Sequence, residues 1–384
     1  MKTRFSRLVA RLRQKTPTDR ALLAFLAFLS LHLITGALSG GRTLAAPFFD
    51  HLGDLFMDYF NSLRDAAQGV RAYTERRVIY PPMANLIFLT FSRLVPNASL
   101  NTPFAARHTW RQYPTAILSL VLFLAIPLLL TALLQNAKRK QLGLPRRTLL
   151  LLLFNLPLLY LIERGNILLL TLPALLFFLY YYNSPSARLR ELSYLSLAFA
   201  ISLKLYPILA ILFPLAQRRF AAACRVLLYS MLLLILPAFA FGGPAVFRVL
   251  LVNILSFAAN AEGAAPALLS YLPFLFSLAL FLLALYRHAE EPLCMALLAT
   301  SLFTFPALHA LYAYVFFTAP LPALLAKQDL TPTHLIFRAA LLTPLLLFPL
   351  LGARSYLALA SCCSAILLCC AALLLRATKN APVS

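Results

Sequence analysis

Three aspartates, Asp50, Asp54 and Asp58, are spaced by four in the stretch FFDHLGDLFMDYFNSLRDAAQG. A helix there would set all three on one face. Such a row has two possible uses. It can be the solvated polar face of an interfacial helix. Held instead against apolar neighbours, a carboxylate has a raised pKa and can take a proton from an alcohol. Spacing alone leaves both open. Three further polar features interrupt apolar runs: the turn Glu163-Arg164-Gly165-Asn166, Lys204 within SLKLYPILAILFPLAQRR, and His309 at the tip of FPALHALYAYVF. Each also has a plain structural reading, as a surface ion pair in a tight turn, a snorkelling lysine and a structural histidine. An unsupported Lys in a membrane helix costs about 2.5–3.5 kcal/mol, which favours a use for it. Arg and Lys hold phosphate oxygens. A carboxylate, an Arg, a Lys, an Asn and a His on one face therefore suit an anionic headgroup and a reacting hydroxyl.

Other chemistries find no support. The chain has no P-loop, HExxH, CxxC or GxSxG motif, so ATP hydrolysis, zinc proteolysis, thiol redox chemistry and serine hydrolysis are unsupported. The six cysteines, Cys224, Cys294, Cys362, Cys363, Cys369 and Cys370, sit inside apolar runs, read as packing residues, and form no metal-ligand spacing.

The elements that must carry these residues follow from composition. Of 384 residues, 61% are hydrophobic and 12% charged, against roughly 45–50% and 25% in soluble domains. Mean hydropathy is +0.82. A soluble globular domain, a disordered chain and a disulfide-stapled secreted domain are excluded. An outer-membrane barrel is excluded too, because the apolar residues run unbroken instead of alternating. The expected fold is all-α: a polytopic membrane protein with about ten full spans plus a broken re-entrant helix pair. Lys and Arg number 34 against 12 Asp and Glu, a net charge of +22. With no RNA- or DNA-binding motif beside it, that excess reads as cytoplasmic loops obeying the positive-inside rule and touching anionic lipid headgroups, not as nucleic-acid binding.

The basic loops set the expected topology. Residues 1–20 form a basic cytoplasmic N-terminus, residues 21–376 a single transmembrane domain, and residues 377–384 a cytoplasmic tail. The first span, 21–39, leads outward; a cleaved signal peptide is its alternative reading. Residues 40–112 form a large non-cytoplasmic loop, in which 81–96 reads as a re-entrant or interfacial helix. Residues 113–135 return to the basic loop KRKQLGLPRR, 148–162 lead out to ERGN, and 165–183 come back. Residues 191–216 read as a hairpin broken at Lys204-Leu205-Tyr206-Pro207. Residues 224–241 lead to a second outer loop, 242–265, and 267–286 return. Segments 293–308 with 311–326, and 336–351 with 356–376, complete the set. The expected location is the plasma (inner) membrane, multi-pass, with both termini cytoplasmic.

Three runs carry a family resemblance. DYFNSLRDAAQGVRAYTERRVIYPPMANL resembles the first outer loop of glycosyltransferase family 87. ERGN with the apolar span after it, and SLKLYPILAILFPLAQRR, resemble that family's next two motifs in the same order. The likeness spans roughly residues 50–220; beyond it only hydropathy and HALY agree. Family 87 enzymes are membrane glycosyltransferases of the GT-C class that use polyprenyl-phosphate sugars. The resemblance implies a GT-C-like fold with a helical first outer loop, and an acid in that loop as general base. Asp58, in a D-x-x-N setting with Asn61, is the best match and Asp54 the runner-up. It implies substrate-binding roles for Asn61, Tyr80 of the YPP motif, Glu163, Arg164, Asn166, Lys204, Tyr206 of the KLYP motif, and His309. Mannose is the sugar it suggests. The implied donor is a polyprenyl-phosphate sugar and the acceptor a lipid, glycan or protein; no cofactor and no metal is required. The alternative is a transporter or flippase of lipid-linked sugars, with the same polar groups lining a passage, although the internal repeat common in transporters is not seen.

Overall fold

The computed structural model describes residues 16–39, 55–96, 100, 112–261, 271–305, 311–327, 331–347 and 355–379. Among these the fold is all-α, with no strands. Helix α1 (Pro17–Leu38) comes first, followed by three short helices, α2 (Met57–Ala66), α3 (Arg71–Thr74) and α4 (Pro82–Ser92). Next are α5 (Pro114–Gln141), α6 (Thr148–Leu153), α7 (Leu156–Arg164) and α8 (Leu168–Tyr181). Helix α9 (Ala187–Leu203), a 3-10 helix (Tyr206–Ile211) and α10 (Leu212–Ala216) form a broken run. Helix α11 (Phe220–Ala238) leads through a 3-10 turn (Phe239–Phe241) to α12 (Val246–Ala261). The rest comprises α13 (Leu272–Tyr286), α14 (Glu291–Phe303), a 3-10 helix (Leu311–Thr318), α15 (Leu321–Ala326), α16 (Pro332–Leu347) and α17 (Ser355–Lys379).

Proline sets many of the starts. Helices α4, α5, α7, α13, α14 and α15 each carry a proline in the first two positions, where a missing N–H costs nothing and the fixed φ already suits a helix. Lys138, Arg139 and Lys140 occupy the last turn of α5, where cations complement the carbonyl end of the helix dipole. Helix α5 packs on α8, α8 on α9 and α9 on α11, while α4 lies against α2, α9 and α11. One large apolar core links these helices to α13–α17. A second, smaller core joins Ala72, Tyr73 and Val78 to Ala238, Phe241, Val246 and Leu250.

The expected segments meet the observed helices with some differences. The run 191–216 breaks at KLYP as expected: Lys204 is extended (φ −145°, ψ 131°) after the last turn of α9. The run 148–162 is not continuous. Asn155 stops α6 and caps α7, its Oδ1 accepting from Leu158 N–H at 3.0 Å and its Nδ2 donating to the Leu152 carbonyl at 2.8 Å. The expected second outer loop, 242–265, carries helix α12 over most of its described length. The reason is a face of Val246, Leu250 and Asn253 at helical spacing, all buried.

Among the described residues, two helical stretches, Pro114–Gln141 and Phe220–Phe241, are long and apolar enough to cross a membrane, with peak mean hydropathy of 2.8 and 2.0. The shorter apolar helices of 10–17 residues include α8, α13 and α14. Proline and asparagine breaks such as those at Asn155 and Pro207 are why long apolar runs yield shorter helices. Both long helices expose a broad apolar face, with Leu118, Val121, Ile126, Leu129 and Leu133 on α5 and Leu228, Met231 and Leu236 on α11.

Candidate active site

The site forms where the N-terminus of α2 meets the turn after α7. Gly165 ends α7 with φ +63°, and a Cβ placed on it would lie 2.7 Å from Tyr59 Cβ. Only glycine both adopts that backbone readily and lets α2 come this close. Phe56 precedes α2 with φ 57° and donates its N–H to the Glu163 carbonyl at 2.7 Å. Tyr59, the residue of α2 that Gly165 approaches, also anchors the helix to its neighbours. Its hydroxyl meets Ser119 of α5 at 2.5 Å, and its ring packs among Phe60, Phe88, Phe91 and Phe123.

This docking brings together residues more than a hundred positions apart. Asp58, in the first turn of α2, accepts from Arg164 Nη2 on Oδ1 at 2.6 Å and from Asn166 Nδ2 on Oδ2 at 2.7 Å. The helix N-terminus adds its own preference for negative charge there. Asn166 also donates to the Tyr80 hydroxyl at 3.2 Å, and its Oδ1 accepts from Leu168 N–H at 3.1 Å, which fixes the amide's orientation. Burial, and then the nearby Asp58 charge, push the Tyr80 phenol up from its ordinary pKa, so it keeps its proton throughout the physiological range. Lys204 is buried with its Nζ 4.4 Å from the centre of the Tyr80 ring, a cation–π contact. Among the described residues no carboxylate lies within ion-pairing distance of it.

Asp58, Tyr80, Arg164, Asn166 and Lys204 thus form one connected cluster. Tyr206, two residues past Lys204, is buried with its ring about 6 Å from those of Phe305 and Phe316. Glu163 is buried, and its backbone carbonyl holds Phe56. Asn61 lies half-buried one turn along α2 from Asp58. Asp50, Asp54 and His309 lie outside the described residues. Among the described residues no three His, Cys, Asp or Glu side chains come together as a metal site would need.

The geometry also shows supports that sequence reasoning missed. Tyr73 donates its hydroxyl to the Tyr80 carbonyl at 2.9 Å, and Asn85 Nδ2 donates to Tyr73 Oη at 2.7 Å. Asn253 of α12 donates to the carbonyls of Tyr73 and Val78 at 3.0 and 3.1 Å. The only sequence signal was an amide inside each of the apolar runs MANLIF and VNIL.

The arrangement offers a carboxylate oriented on both oxygens, each keeping a further lone pair for a proton. Beside it stands a buried cation. Because Asp58 occupies Arg164, Lys204 is the better placed of the two for an incoming anion. The chain matches no family model, no curated protein and no solved structure in comparisons with each.

Proposed function

We propose that the chain is a polytopic membrane glycosyltransferase of the GT-C type. It moves a sugar, mannose by the family resemblance, from a polyprenyl phosphate to a lipid, glycan or protein acceptor on the non-cytoplasmic face of the plasma membrane. The observation that carries the reading is one cluster that holds both an oriented carboxylate, Asp58, and a buried lysine, Lys204, linked through Asn166 and Tyr80. Asp58 takes the acceptor hydroxyl proton as the oxygen attacks the anomeric carbon. The bond from that carbon to the phosphate oxygen breaks, its electron pair leaves with polyprenyl phosphate, and the configuration inverts. Lys204 stabilises the charge on the departing phosphate. Arg164 and Asn166 hold Asp58 in place.

Leu205, within the KLYP break, and Ile208, just after it, are 41% and 40% exposed. That apolar surface beside Lys204 suits an isoprenoid tail entering from the bilayer. The exposed apolar faces of α5 and α11 favour a lipid surround over water. Polar residues gathered at one end of the helices favour an enzyme over a transporter, whose polar groups would recur near mid-membrane in several spans.

The test is a survey of donors. Membranes containing the protein are incubated with polyprenyl phosphates carrying radiolabelled mannose, glucose, galactose or arabinose. One donor is expected to be consumed and its sugar to appear in a new product. Consumption of none would contradict the reading.

A further inference from the structure

Far from Asp58, at the other end of α9, the chain after α10 turns back beside the start of that helix. A cavity of about 610 Å³ lies there, lined by Arg190, Tyr194, Arg218, Arg219, Phe220 and Arg225 among others. By the rise of about 1.5 Å per residue in a helix, Arg190 stands roughly 20 Å from Lys204. The two sites therefore do not share a ligand.

Four arginines line this cavity. Among the described residues, Glu191 is the one carboxylate that pairs with them: Arg225 Nη1 meets its Oε2 at 2.6 Å. Arg190 donates to the Ser184 carbonyl at 2.9 Å and Arg219 to Asn183 Oδ1 at 2.8 Å. Arg218 makes no side-chain hydrogen bond among the described residues. Each guanidinium carries five N–H donors, so most of the donor capacity around the cavity is unused. Arg218 sits in a left-handed turn (φ 57°) closed by Arg219 N–H donating to the Pro214 carbonyl at 2.8 Å. That turn sets two successive arginines at the mouth of α11, whose first residues, Phe220 to Ala222, form part of the lining. The helix start adds partial positive charge on the same side. Phe220, itself part of the lining, is 62% exposed.

We infer that this cavity binds a phosphate group, carried either by the headgroup of an anionic lipid or by a soluble phosphate. Four arginines around one cavity, with most of their N–H donors unbonded, match the planar, bidentate recognition of phosphate oxygens. The exposed Phe220 offers an apolar contact for an acyl chain below a headgroup. The lipid source rests on the membrane reading given above; the phosphate chemistry does not.

The experiment uses the full chain purified in a non-ionic detergent and tritiated short-chain phosphatidic acid as the probe. Diacylglycerol of the same chain length is the competitor without phosphate, and inorganic phosphate the competitor without acyl chains. Phosphatidic acid is expected to bind and diacylglycerol not to displace it. The double variant R218Q/R219Q is expected to lose about tenfold or more in affinity, and R218K/R219K to lose less. Displacement by inorganic phosphate at matching concentration assigns the site to a soluble phosphate; failure to displace assigns it to a lipid. Should the double variant not fold, R218Q alone takes its place, since that side chain holds no hydrogen bond in the described structure. Wild-type affinity in the glutamine variants, or equal competition by diacylglycerol, overturns the inference. Sugar transfer, measured in parallel, reports on the Asp58 site separately, so failure of one reading is told apart from failure of the other.

Discussion

At the residue scale, the account depends on Lys204 and the ring beneath it. A buried cation with no direct ion pair among the described residues is costly, and Tyr80 offsets part of that cost through its ring face. Lys204→Met removes a buried charge and so should leave the protein folded in the membrane. Its donor affinity should fall, read as a rise in the donor concentration for half-maximal rate. If that concentration is unchanged, the lysine does not hold phosphate. Tyr80 separates two contributions. Tyr80→Phe keeps the ring and loses the Asn166 bond; Tyr80→Leu loses both. A cation–π contact contributes about 0.5–2 kcal/mol, so donor affinity should fall several-fold further in Tyr80→Leu than in Tyr80→Phe. Equal effects would assign Tyr80's role to its hydroxyl. Asp58, Arg164, Asn166 and Lys204 were visible in the sequence as polar residues out of place, and Tyr80 only through the resemblance of its YPP run. Their pairing was not. Asp58 and Arg164 are 106 positions apart, and one sequence carries no signal that two such residues touch. That Asp58 engages Arg164 and not Lys204 could therefore be seen only in the fold.

At the element scale, the site depends on how closely α2 approaches the turn after α7. Gly165→Ala places a Cβ against Tyr59 and forces an L-residue into a positive φ. Overpacking of this kind costs about 1–3 kcal/mol, and a left-handed backbone adds about 1–2 kcal/mol. The variant should show a lower unfolding midpoint in detergent and a large loss of transfer, because Asp58 and Asn166 part together. A variant with wild-type stability and activity would mean that α2 does not sit on this turn. The KLYP break was legible because a lysine and a proline interrupt an apolar run within four residues. The Asn155 break was less so, since one amide in a leucine run signals a cap only once its neighbours' free N–H groups are known. Helix α12 was missed for a similar reason. Its apolar residues face Tyr73 and Val78, which lie about 180 residues earlier in the chain, so its partner surface could not be seen locally.

At the scale of the whole molecule, the claims are orientation and chemistry. In the expected topology the α2–α4 region and the ERGN turn share the non-cytoplasmic face, while the basic loops after α5 and α8 are cytoplasmic. Asn166 is a poor reporter because it is buried. Val70 and Glu75 on the outer side, and Gln141 and Ser186 on the inner, are exposed. In a background with the native cysteines replaced, Cys at Val70 or Glu75 should react with an impermeant thiol reagent added to intact cells, and Cys at Gln141 or Ser186 should not. Labelling at Gln141 from outside would reverse the arrangement. The most direct measurement of the central claim compares wild type with Asp58→Asn in membranes supplied with the labelled donor found to be consumed. The substitution keeps the shape but cannot take a proton, and general-base catalysis contributes about 10²–10⁴-fold. The account predicts turnover lower by that order, with donor binding near that of wild type. Equal turnover in the two proteins would contradict it.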